Sequence, residues 1–523
     1  MKPFNVNGEF QTTVDTSNVR RHATRGAAAT LLSGGTGLAV QIVSTVILAR
    51  LLTPRDFGLI AIVTTFSLLL LNFGLNGFTE AIVHREDINR SQASNLLWIN
   101  VVGSVLLSLI FAASGSLLAW FFKDVRIVRV AEWMSLTIPI TGLSVIHLAL
   151  LKRAMRFTAV SGNDLIARMV SVAVSIGLGC AGWGYWALVA GNIALALSSC
   201  VGAWLLCRWA PGWPSRAAGT DSLIHYAIHT YARFVTGYFT SNFDNFLVGW
   251  RLGPSQLGIY KKAYDLFVLP SSQLSFGLTV LAVSALSRLQ RDVIQYKRYL
   301  CSSLSVMAFL GMGLSGILTL EGRDLVRILL GSRWGESGII FTIFAPGIGI
   351  MLIYGTHIWI HLSLGHADRW FRWGLVDMAV TTVFLLVGLH WHAEGIAGAW
   401  VASYWLITLP ALWYAGRPIQ LGISAILAAI WKYFAASFVA VAALLALSRQ
   451  IPYLMETSGA FPALVRLLGV SLAFLLLYLL FVITLYGGSA PLMQVVRLLR
   501  EMTGRSRSPE PVIDLPVEAI REA

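Results

Sequence analysis

Apolar residues form long blocks along this chain, and short polar segments separate the blocks. A helix that crosses a bilayer needs about 20 consecutive, mainly apolar residues. By this criterion the chain holds about fourteen such blocks. We therefore predict an all-α integral membrane protein with spanning helices near 27–50, 57–83, 94–121, 127–151, 161–181, 185–207, 222–250, 257–284, 299–320, 338–364, 373–391, 394–415, 428–448 and 464–486.

The composition agrees with a membrane-embedded chain. Of the 523 residues, 56% are hydrophobic and 12% are charged, whereas soluble domains have about 45–50% and about 25%. This excludes an ordinary soluble enzyme. The net charge of +14 would suit a nucleic-acid binder only if the basic residues formed dense clusters. They stand in small groups between apolar blocks instead, so we expect no nucleic-acid partner.

The basic residues also predict the orientation of the chain. Lys and Arg are more frequent in alternate loops, which the positive-inside rule assigns to the cytoplasm. The first apolar block is too long for the apolar region of a cleavable signal peptide, so we expect it to be retained as a helix. Residues 1–26 and 487–523 are then a cytoplasmic N-terminal segment and a cytoplasmic tail.

A repeated motif relates two halves of the chain. Leu52–Leu59 reads Leu-Thr-Pro-Arg-Asp-Phe-Gly-Leu, and Leu252–Ile259 reads Leu-Gly-Pro-Ser-Gln-Leu-Gly-Ile. A weaker echo relates His147, followed by Leu-Ala-Leu, to His361, followed by Leu-Ser-Leu. An even number of predicted helices separates the copies, so both have the same direction and the repeat is parallel, with a cavity expected between two pseudo-symmetric lobes.

The repeat sets the predicted domain boundaries. Two six-helix lobes surround the central cavity, and two further helices follow them. The predicted ranges are an N-lobe at 27–208, a cytoplasmic linker at 209–221, a C-lobe at 222–416, and the two C-terminal helices within 425–486.

Several local motifs lie in a fixed order along both halves: Ala49–Gly58, Asn72–Leu75, Ala81–Val83, Gly182–Gly191, Phe243–Gly249, Leu257–Tyr264 and Pro270. Together with the six-plus-six-plus-two arrangement, they resemble the multidrug/oligosaccharidyl-lipid/polysaccharide (MOP) exporter superfamily. Within it the chain is similar to the Wzx-type polysaccharide and O-antigen flippases. The resemblance extends from about residue 20 to about residue 480.

The resemblance implies an alternating-access transporter rather than an enzyme. Flippases of this type move undecaprenyl-pyrophosphate-linked oligosaccharide repeat units from the cytoplasmic to the periplasmic leaflet of the bacterial inner membrane, for exopolysaccharide or O-antigen biosynthesis. The implied partners are that lipid-linked oligosaccharide, membrane lipids and polysaccharide polymerase machinery, and a monomer is expected. Because sugars and pyrophosphate are costly to move into hydrocarbon, we expect a hydrated, partly cationic cavity.

Three alternatives are weighed against this interpretation. An ion-coupled multidrug antiporter of the same superfamily would need a carboxylate inside helix 27–50 to attract cationic drugs, and none is present there. A lipid II flippase resembles this architecture but carries arginines within its first two helices, whereas here none lies between Arg25 and Arg50 or between Arg55 and Arg85. A membrane-embedded polysaccharide polymerase or ligase would need a large outer loop, and the longest outer loops, near 321–337 and 449–463, are short.

Ionisable residues inside the spans are the candidate site residues, because each is costly there and usually faces a cavity or a partner. In helix 222–250 one face is formed by residues that recur at three- and four-residue steps, namely His229, Arg233, Gly237, Thr240, Ser241 and Asp244. Arg233 lies too deep for easy contact with the interface, and its forked donors suit pyrophosphate or an acidic sugar. A structural partner on another helix is the alternative for Arg233.

Two further groups of charges add substrate candidates. Lys261 is four residues from Asp265 and can pair with it, while Lys262 points about 100° away and is the more available lysine. Arg168 is four residues from Asp164, so an intrahelical pair is the alternative to substrate binding.

Asn72, Asn76 and Glu80 follow one another at four-residue steps and form a polar stripe on helix 57–83 that suits sugar hydroxyls or a coupling proton. A carboxylate near the end of the span is the alternative for Glu80. Glu80, Asp244 and Asp265 are the candidates for ion coupling or gating, and for Asp244 an inter-helix contact that closes the outer gate is favoured over ion coupling.

No cofactor is expected. The chain has no glycine loop with lysine that could hold ATP phosphates, so a coupling ion, H⁺ or Na⁺, the membrane potential or substrate supply must drive transport. His357 and His361 lie one turn apart, but no carboxylate or cysteine accompanies them at ligand spacing, and no metal site is predicted.

Overall fold

The computed structural model describes residues 3–5, 7–10, 19–85, 87–215, 219–450 and 460–488, together with Met493. In these ranges the regular structure is helical, apart from two isolated β-bridges near the N-terminus. The all-α fold class is confirmed. The helices are α1 (Val19–Leu51), α2 (Pro54–His84), α3 (Arg90–Phe122), α4 (Arg126–Ser135), α5 (Thr137–Arg153), α6 (Phe157–Cys180), α7 (Tyr185–Cys207), α8 (Asp221–Arg288), α9 (Val293–Leu330), α10 (Gly335–Phe344), α11 (Pro346–Gly355), α12 (His357–Ser363), α13 (Ala367–Gly388), α14 (His392–Gly416), α15 (Ile423–Gln450) and α16 (Ala460–Tyr486).

Ten stretches in the described part of the chain are long and apolar enough to cross a membrane, or eleven if one bent pair is a single span. The predicted count of fourteen is not confirmed. One reason is that the stretch Ala367–Ile419 holds two helices, α13 and α14. Another is that α8 carries several ionisable residues and does not meet the apolar criterion. The spans nevertheless show a multi-pass membrane protein.

The bent pair is Ser332–Phe344 with Pro346–Ser363, and its two parts meet at 52°. Pro346 is the first residue of α11. A proline lacks the backbone N–H that would continue the preceding helix and clashes with its last turn, so the chain bends there. The single predicted helix at 338–364 is therefore three short helices, α10 to α12.

The chain forms two compact units, Met1–Gly258 and Ile259–Ala523. The boundary lies inside α8, so the residues from Asp221 to Gly258 group with the first unit. The predicted lobe boundaries at 27–208 and 222–416 stay a prediction.

The core of the first unit is formed by α2, α3, α5 and α7, with residues of the first part of α8 packed onto them. Buried amide and hydroxyl groups join neighbouring helices there: Asn100 Nδ2 donates to the Gly142 carbonyl at 2.7 Å, and Ser108 Oγ donates to the Ser135 carbonyl at 2.8 Å. At the far end of α2, Arg153 donates to the carbonyls of Ile82 and Arg85. A cation at a helix C-terminus satisfies carbonyls that have no partner within the helix.

Both copies of the repeated motif start a helical segment. In the first copy Thr53 caps α2: its backbone N–H donates to Asp56 Oδ2 at 2.9 Å, and Asp56 N–H donates to Thr53 Oγ1 at 3.3 Å. In the second copy Gly253 interrupts α8 with φ 83° and ψ 176°. Proline follows in each case and is well suited to the first turn of a helix. The predicted helices 222–250 and 257–284 are thus two arms of α8, residues 221–252 and 254–288.

In the second unit α9 is central and packs against α10, α11, α15 and α16. Hydroxyl groups on these helices donate to carbonyls of their neighbours, as Ser305 Oγ does to Ala429 at 2.9 Å and Tyr478 Oη does to Phe309 at 2.9 Å. Since lipid offers no hydrogen bonds, such contacts satisfy these hydroxyl groups and help to hold the helices together.

Large apolar side chains project outward on many helices of both units. Trp120 is 76% exposed, Leu468 60% and Phe438 75%. A monomeric soluble protein rarely exposes so much apolar surface. These faces are suited to lipid tails, in agreement with the multi-pass assignment.

Candidate functional site

The first arm of α8 packs antiparallel onto α2 within the first unit. Tyr231 Oη donates to the Leu69 carbonyl at 2.8 Å, and Tyr238 Oη donates to the Thr65 carbonyl at 2.6 Å. The tyrosine rings therefore fix one face of this arm. His229 is exposed and lies 6.4 Å, ring to ring, from His225. The backbone of Arg233 belongs to this arm, but its side chain lies outside the described residues.

Asp244 and Asn245 are buried near the end of the same arm, at 0% and 2% exposure. The Asn245 backbone N–H donates to Asp244 Oδ1 at 2.8 Å, and Asn245 Nδ2 donates to Asn242 Oδ1 at 3.3 Å. A carboxylate enclosed in this way is not available to a bulky sugar head. The interpretation of Asp244 as a gating contact stays a prediction.

The predicted pair on α6 is present. Arg168 Nε lies 2.8 Å from Asp164 Oδ2, and both side chains are about half exposed, at 45% and 55%. The aliphatic part of Arg168 faces α1, since a Cβ built on Gly37 would lie 3.8 Å from Arg168 Cδ. Arg168 thus has a partner on its own helix and an accessible guanidinium. Its role in substrate binding stays a prediction.

The polar stripe on α2 is only partly described. Glu80 is exposed, and Asn72 Nδ2 donates to the Leu68 carbonyl of its own helix at 2.7 Å. The side chain of Asn76 lies outside the described residues. The roles of Asn76 in substrate binding and of Glu80 in ion coupling therefore stay predictions.

On the second arm of α8, the predicted pair between Lys261 and Asp265 is also present. Lys261 Nζ lies 2.8 Å from Asp265 Oδ1 and 5.0 Å from the centre of the Tyr264 ring. Lys262 is half-buried. Two adjacent lysines and one aspartate leave this turn of the helix with a net positive charge, which suits an anionic group.

A carboxylate that the sequence interpretation did not consider lies inside the second unit. Asp377 on α13 accepts hydrogen bonds from Tyr354 Oη at 2.8 Å and from Thr381 Oγ1 at 3.1 Å. Trp373 Nε1 donates to the Tyr354 oxygen at 3.2 Å. Within the described part of the chain, both partners of Asp377 are hydroxyl groups. Its position inside an apolar span was a signal in the sequence.

The histidines of α12 belong to the same region. His357 and His361 are 3% and 1% exposed, and His357 Nδ1 lies 2.6 Å from the Tyr354 carbonyl oxygen. In the described residues no group of three or more His, Cys, Asp or Glu side chains could hold a metal ion. The pair is part of a buried aromatic and polar cluster with Tyr354, Trp373 and Tyr414.

Charged groups also meet at an end of the first unit, outside the spans. Asp124, between α3 and α4, accepts from Arg126 Nη2 at 2.6 Å and lies 3.6 Å from Arg55 Nη2. The hydrogen bond from Arg126 lowers the pKa of the Asp124 carboxyl, although burial opposes this. The cluster joins the start of α2 to the connection between α3 and α4.

A cavity of about 680 Å³ lies among α9, α11, α14 and α15 of the second unit. Its walls are mainly apolar, with Trp405, Trp431 and Phe438 among them. Two of its few hydroxyl groups already donate within the protein: Ser315 Oγ to Ala345 and Ser437 Oγ to Met312, each at 2.8 Å. The cavity therefore suits an apolar occupant.

Comparison with known protein families shows to which family the chain belongs. A family model described as a polysaccharide biosynthesis protein matches residues 47–338, which is more than half of the chain. The chain belongs to this family. The match starts in α1 and ends in α10, so it includes both copies of the repeated motif.

Individual members of the polysaccharide biosynthesis group are distant in sequence. The chain is 22% identical over 394 residues to the succinoglycan biosynthesis transport protein ExoT of Rhizobium meliloti, covering 75% of this chain and 78% of that protein. It is 22% identical over 411 residues to the teichuronic acid biosynthesis protein TuaB of Bacillus subtilis, covering 76% and 82%. The lipopolysaccharide biosynthesis protein WzxC of Escherichia coli is 22% identical over 320 residues, covering 59% and 63%.

Solved structures share the fold of this family member. The lipid II flippase MurJ in an inward closed conformation matches with a TM-score of 0.71 at 13% identity, covering 87% of this chain and 98% of that chain. An inward-facing multidrug resistance MATE transporter of the MOP superfamily matches with a TM-score of 0.57 at 10% identity, covering 73% and 94%. The chain therefore shares the fold of these two-lobe transporters, and the predicted fold is confirmed.

Proposed function

We propose that this protein is a flippase that moves oligosaccharide repeat units, linked to undecaprenyl pyrophosphate, from the cytoplasmic to the periplasmic leaflet for exopolysaccharide or O-antigen biosynthesis. One observation carries the proposal: a polysaccharide biosynthesis family match over residues 47–338 falls on a chain built of membrane-spanning helices. The relative ExoT is named as a transport protein. These features favour a transporter rather than an enzyme.

The physical task explains why polar groups lie within the spans. A sugar head and a pyrophosphate lose their hydration in hydrocarbon, at a cost of several kcal/mol for each unpaired polar group. In our proposal Arg168, Lys261 and Lys262 are the candidate cations for the pyrophosphate charge. His229, Arg233 and Asn76 are the candidates for contact with the head. The lipid tail stays in the bilayer, and access alternates between the two leaflets.

An ion gradient is the proposed source of energy, with H⁺ or Na⁺ as the coupling ion. The candidates from the sequence are Glu80, Asp244 and Asp265. To these we add Asp377, because its carboxylate is held by two hydroxyl groups in the described structure and not by a cation. A carboxylate without a fixed cation can gain and lose a small cation at a lower cost than one in a tight ion pair.

The location and partners follow from the same proposal. The protein would lie in the bacterial inner membrane as a monomer, with both termini in the cytoplasm and with its product released to polysaccharide polymerase machinery on the periplasmic side. The distribution of Lys and Arg among the loops supports this orientation.

The test is deletion of the gene in an exopolysaccharide-producing strain that encodes no other exporter of this family. We expect lipid-linked repeat units to accumulate on the cytoplasmic leaflet and polymer yield to fall, and a plasmid copy to reverse both effects. Leaflet location is measured by access of a membrane-impermeant glycosidase to the units in spheroplasts. Normal periplasmic units with unchanged polymer would overturn the proposal, and added sensitivity to cationic drugs in that case would favour a multidrug antiporter.

A further inference from the structure

The segment that leads from α7 to α8 lies on the start of α3 within the first unit. Residues 209–215 of this linker segment have no regular secondary structure. Asn95 on α3 makes two hydrogen bonds with the backbone of Ser215: its Oδ1 accepts from the Ser215 N–H at 2.8 Å, and its Nδ2 donates to the Ser215 carbonyl at 2.5 Å. The side-chain amide thus pairs with the linker backbone as a neighbouring strand would.

Two further side chains of α3 bind the same segment. Ser94 Oγ accepts from the Gly212 N–H at 2.9 Å, and Trp98 Nε1 donates to the Gly212 carbonyl at 2.9 Å. Ser94 and Asn95 lie four and three residues before Trp98, so all three share one side of the helix. Ser94 is 1% exposed and Asn95 8%, so water does not compete for their hydrogen bonds.

The first residue of the linker segment is held from two other sides. Trp209 is 6% exposed, and its carbonyl oxygen lies 3.2 Å from His147 Nε2 on α5. The ring of Phe4, in the N-terminal segment, packs 5.8 Å from the Trp209 ring. The Gly8 carbonyl of the N-terminal segment accepts from the Arg90 N–H of α3 at 2.8 Å. Both segments therefore pack together at the start of α3.

The composition of the linker segment suits a fixed position. Backbone N–H and C=O groups outside helices and strands need partners from side chains or water, and the side chains of α3 supply them here. Pro211 and Pro214 have no N–H to satisfy, and their fixed φ reduces the freedom that the chain loses on docking. Residues 209–215 are therefore an ordered part of the first unit and not a flexible tether.

A fixed linker segment limits where α8 can begin. The Thr220 carbonyl accepts two of the first N–H groups of α8, each at 3.0 Å. Thr220 lies five positions after Ser215 in the sequence. A fully extended chain of that length spans at most about 18 Å. The first arm of α8, which carries His229 and Arg233, is thus tied at its start to α3.

The start of α8 has a second attachment, of a different kind. Arg85 Nη1, at the end of α2, donates to Ser222 Oγ at 2.6 Å. Ser222 is exposed, so water can replace this partner. The buried contacts of Asn95 are the stronger constraint, because a hydrogen bond shielded from water is electrostatically stronger than an exposed one.

We propose that Asn95, together with Ser94 and Trp98, is a positioning residue for transport: it holds the linker segment on α3 and thereby fixes the start of the first arm of α8. By the predicted orientation, this site lies on the cytoplasmic side. The inference rests on the proposed transport function for its effect on export, but the docking of the linker segment can be measured without a substrate.

The direct test is hydrogen–deuterium exchange of the full-length protein in nanodiscs, followed in peptides that cover residues 209–215. Water-exposed N–H groups of a loop exchange quickly, and hydrogen-bonded ones exchange slowly. In the wild type we expect this segment to exchange at least about tenfold more slowly than the denatured protein does. Asn95→Leu should remove most of this protection. Asn95→Asp, which keeps an oxygen acceptor for the Ser215 N–H, should retain part of it.

Export at matched protein levels is the second readout. Asn95→Leu should lower export severalfold, and Asn95→Asp should lower it less. The matched control is Asn192→Leu on α7, because Asn192 Nδ2 donates to the Leu188 carbonyl of its own helix at 2.8 Å. The control should leave both the exchange of residues 209–215 and export unchanged.

Three results would contradict the proposal. Rapid exchange of residues 209–215 in the wild type would show that the segment is not docked. Faster exchange in Asn95→Leu with normal export would show that docking does not serve transport. If Asn95→Leu does not accumulate, Ser94→Ala decides instead, because it removes only the acceptor of the Gly212 N–H. Unchanged exchange or normal export in Ser94→Ala would then overturn the proposal.

The outcomes separate the positioning role from the function. If the gene deletion leaves lipid-linked units in the periplasm, the proposed function fails, even where exchange shows a docked linker segment. If the deletion blocks export and Asn95→Leu exports normally, the positioning role fails and the function stands.

Discussion

The helices α6 and α13 each carry a carboxylate within a span, and the two carboxylates have different surroundings. On α6, Asp164 pairs with Arg168 of the same helix at 2.8 Å, and both side chains are about half exposed. On α13, Asp377 is tied to another helix through Tyr354 at 2.8 Å, and its other described partner is Thr381. The first arrangement is an ion pair within one helix, and the second joins a carboxyl group to two hydroxyl groups, one of them on another helix.

This difference indicates a division of tasks. A pair within one helix contributes about 0.3–0.5 kcal/mol in water and can be opened by a ligand. A carboxylate held by hydroxyl groups between helices positions those helices and, in our proposal, responds to the coupling ion. Substrate contact is therefore expected to involve the charges of α6, and energy coupling those of α13.

The largest effect is expected from Asp377. Asp377→Ala removes the acceptor of two hydrogen bonds, which contribute about 1.5–3 kcal/mol each to a charged group, and leaves the Tyr354 hydroxyl without this partner. Export should fall about tenfold or more. The measurement is export of repeat units at matched protein levels in the membrane fraction.

The informative companion variant is Asp377→Asn, which keeps one oxygen as an acceptor but removes the charge. We expect it to accumulate normally and to export poorly, whereas Asp164→Asn on α6 should export nearly as the wild type does. Normal export by Asp377→Asn would remove Asp377 from the coupling proposal.

A smaller effect is expected from Tyr354→Phe. The change removes the hydroxyl that donates to Asp377 and accepts from Trp373, at a cost of about 1–3 kcal/mol, while the ring keeps its packing. The melting midpoint of the purified protein in detergent should fall by a few degrees. Tyr404→Phe, on a neighbouring ring 5.5 Å away, is the control for loss of a hydroxyl in the same cluster. An equal fall of the melting midpoint in both variants would mean that the hydrogen bond from Tyr354 to Asp377 stabilises the protein no more than the Tyr404 hydroxyl does.

Local features of the fold and site could be predicted from the sequence. The pairs Asp164–Arg168 and Lys261–Asp265 follow from four-residue spacing, because residues one helical turn apart lie side by side whatever surrounds the helix. Most spanning helices and the two helix starts of the repeat follow from apolar block length and from proline and glycine chemistry.

Contacts between helices could not be predicted in the same way. Tyr354 and Asp377 are 23 residues apart, and Tyr231 and Leu69 are 162 residues apart. Helical periodicity does not indicate which face of a helix packs against which neighbouring helix. The count of spans is not confirmed for a related reason: α8 carries ionisable residues and does not meet the apolar criterion, although it is helical from Asp221 to Arg288.

A still smaller effect is expected from exchanging the two charges of the α6 pair, which tests the role of Arg168 in substrate binding. Exchanging the α6 pair, as Asp164→Arg with Arg168→Asp, preserves an attraction of about 0.3–0.5 kcal/mol and should leave the melting midpoint nearly unchanged. If Arg168 contacts the pyrophosphate, the exchange moves its charge by one helical turn and should lower export severalfold. The same exchange of Lys261 and Asp265 tests the other candidate pair. Full export by both exchanged proteins would assign the two pairs to structure alone.

The smallest effect concerns an acid outside the spans, where pH can act directly. Arg126 holds the pKa of Asp124 below its ordinary value, so the charged form is favoured by folding. The resulting stability is complete above the unfolded pKa, about 3.9, and is lost as the pH falls through the lower folded pKa. Asp124→Asn should thus lower the melting midpoint at pH 7 by a small amount, and its difference from wild type should vanish in strong acid.

Asp368→Asn is the matched control, because its partner Arg372 lies 3.9 Å away and both side chains are more than 60% exposed. Thermal unfolding followed by tryptophan fluorescence between pH 1 and pH 7 checks both variants, and Asp368→Asn should follow the wild type throughout. A parallel pH profile for Asp124→Asn and wild type would show that the Arg126–Asp124 contact does not favour folding. In that case acid sensitivity, if observed, would have to come from the carboxylates within the spans, and the contrast between α6 and α13 would become the first place to look for it.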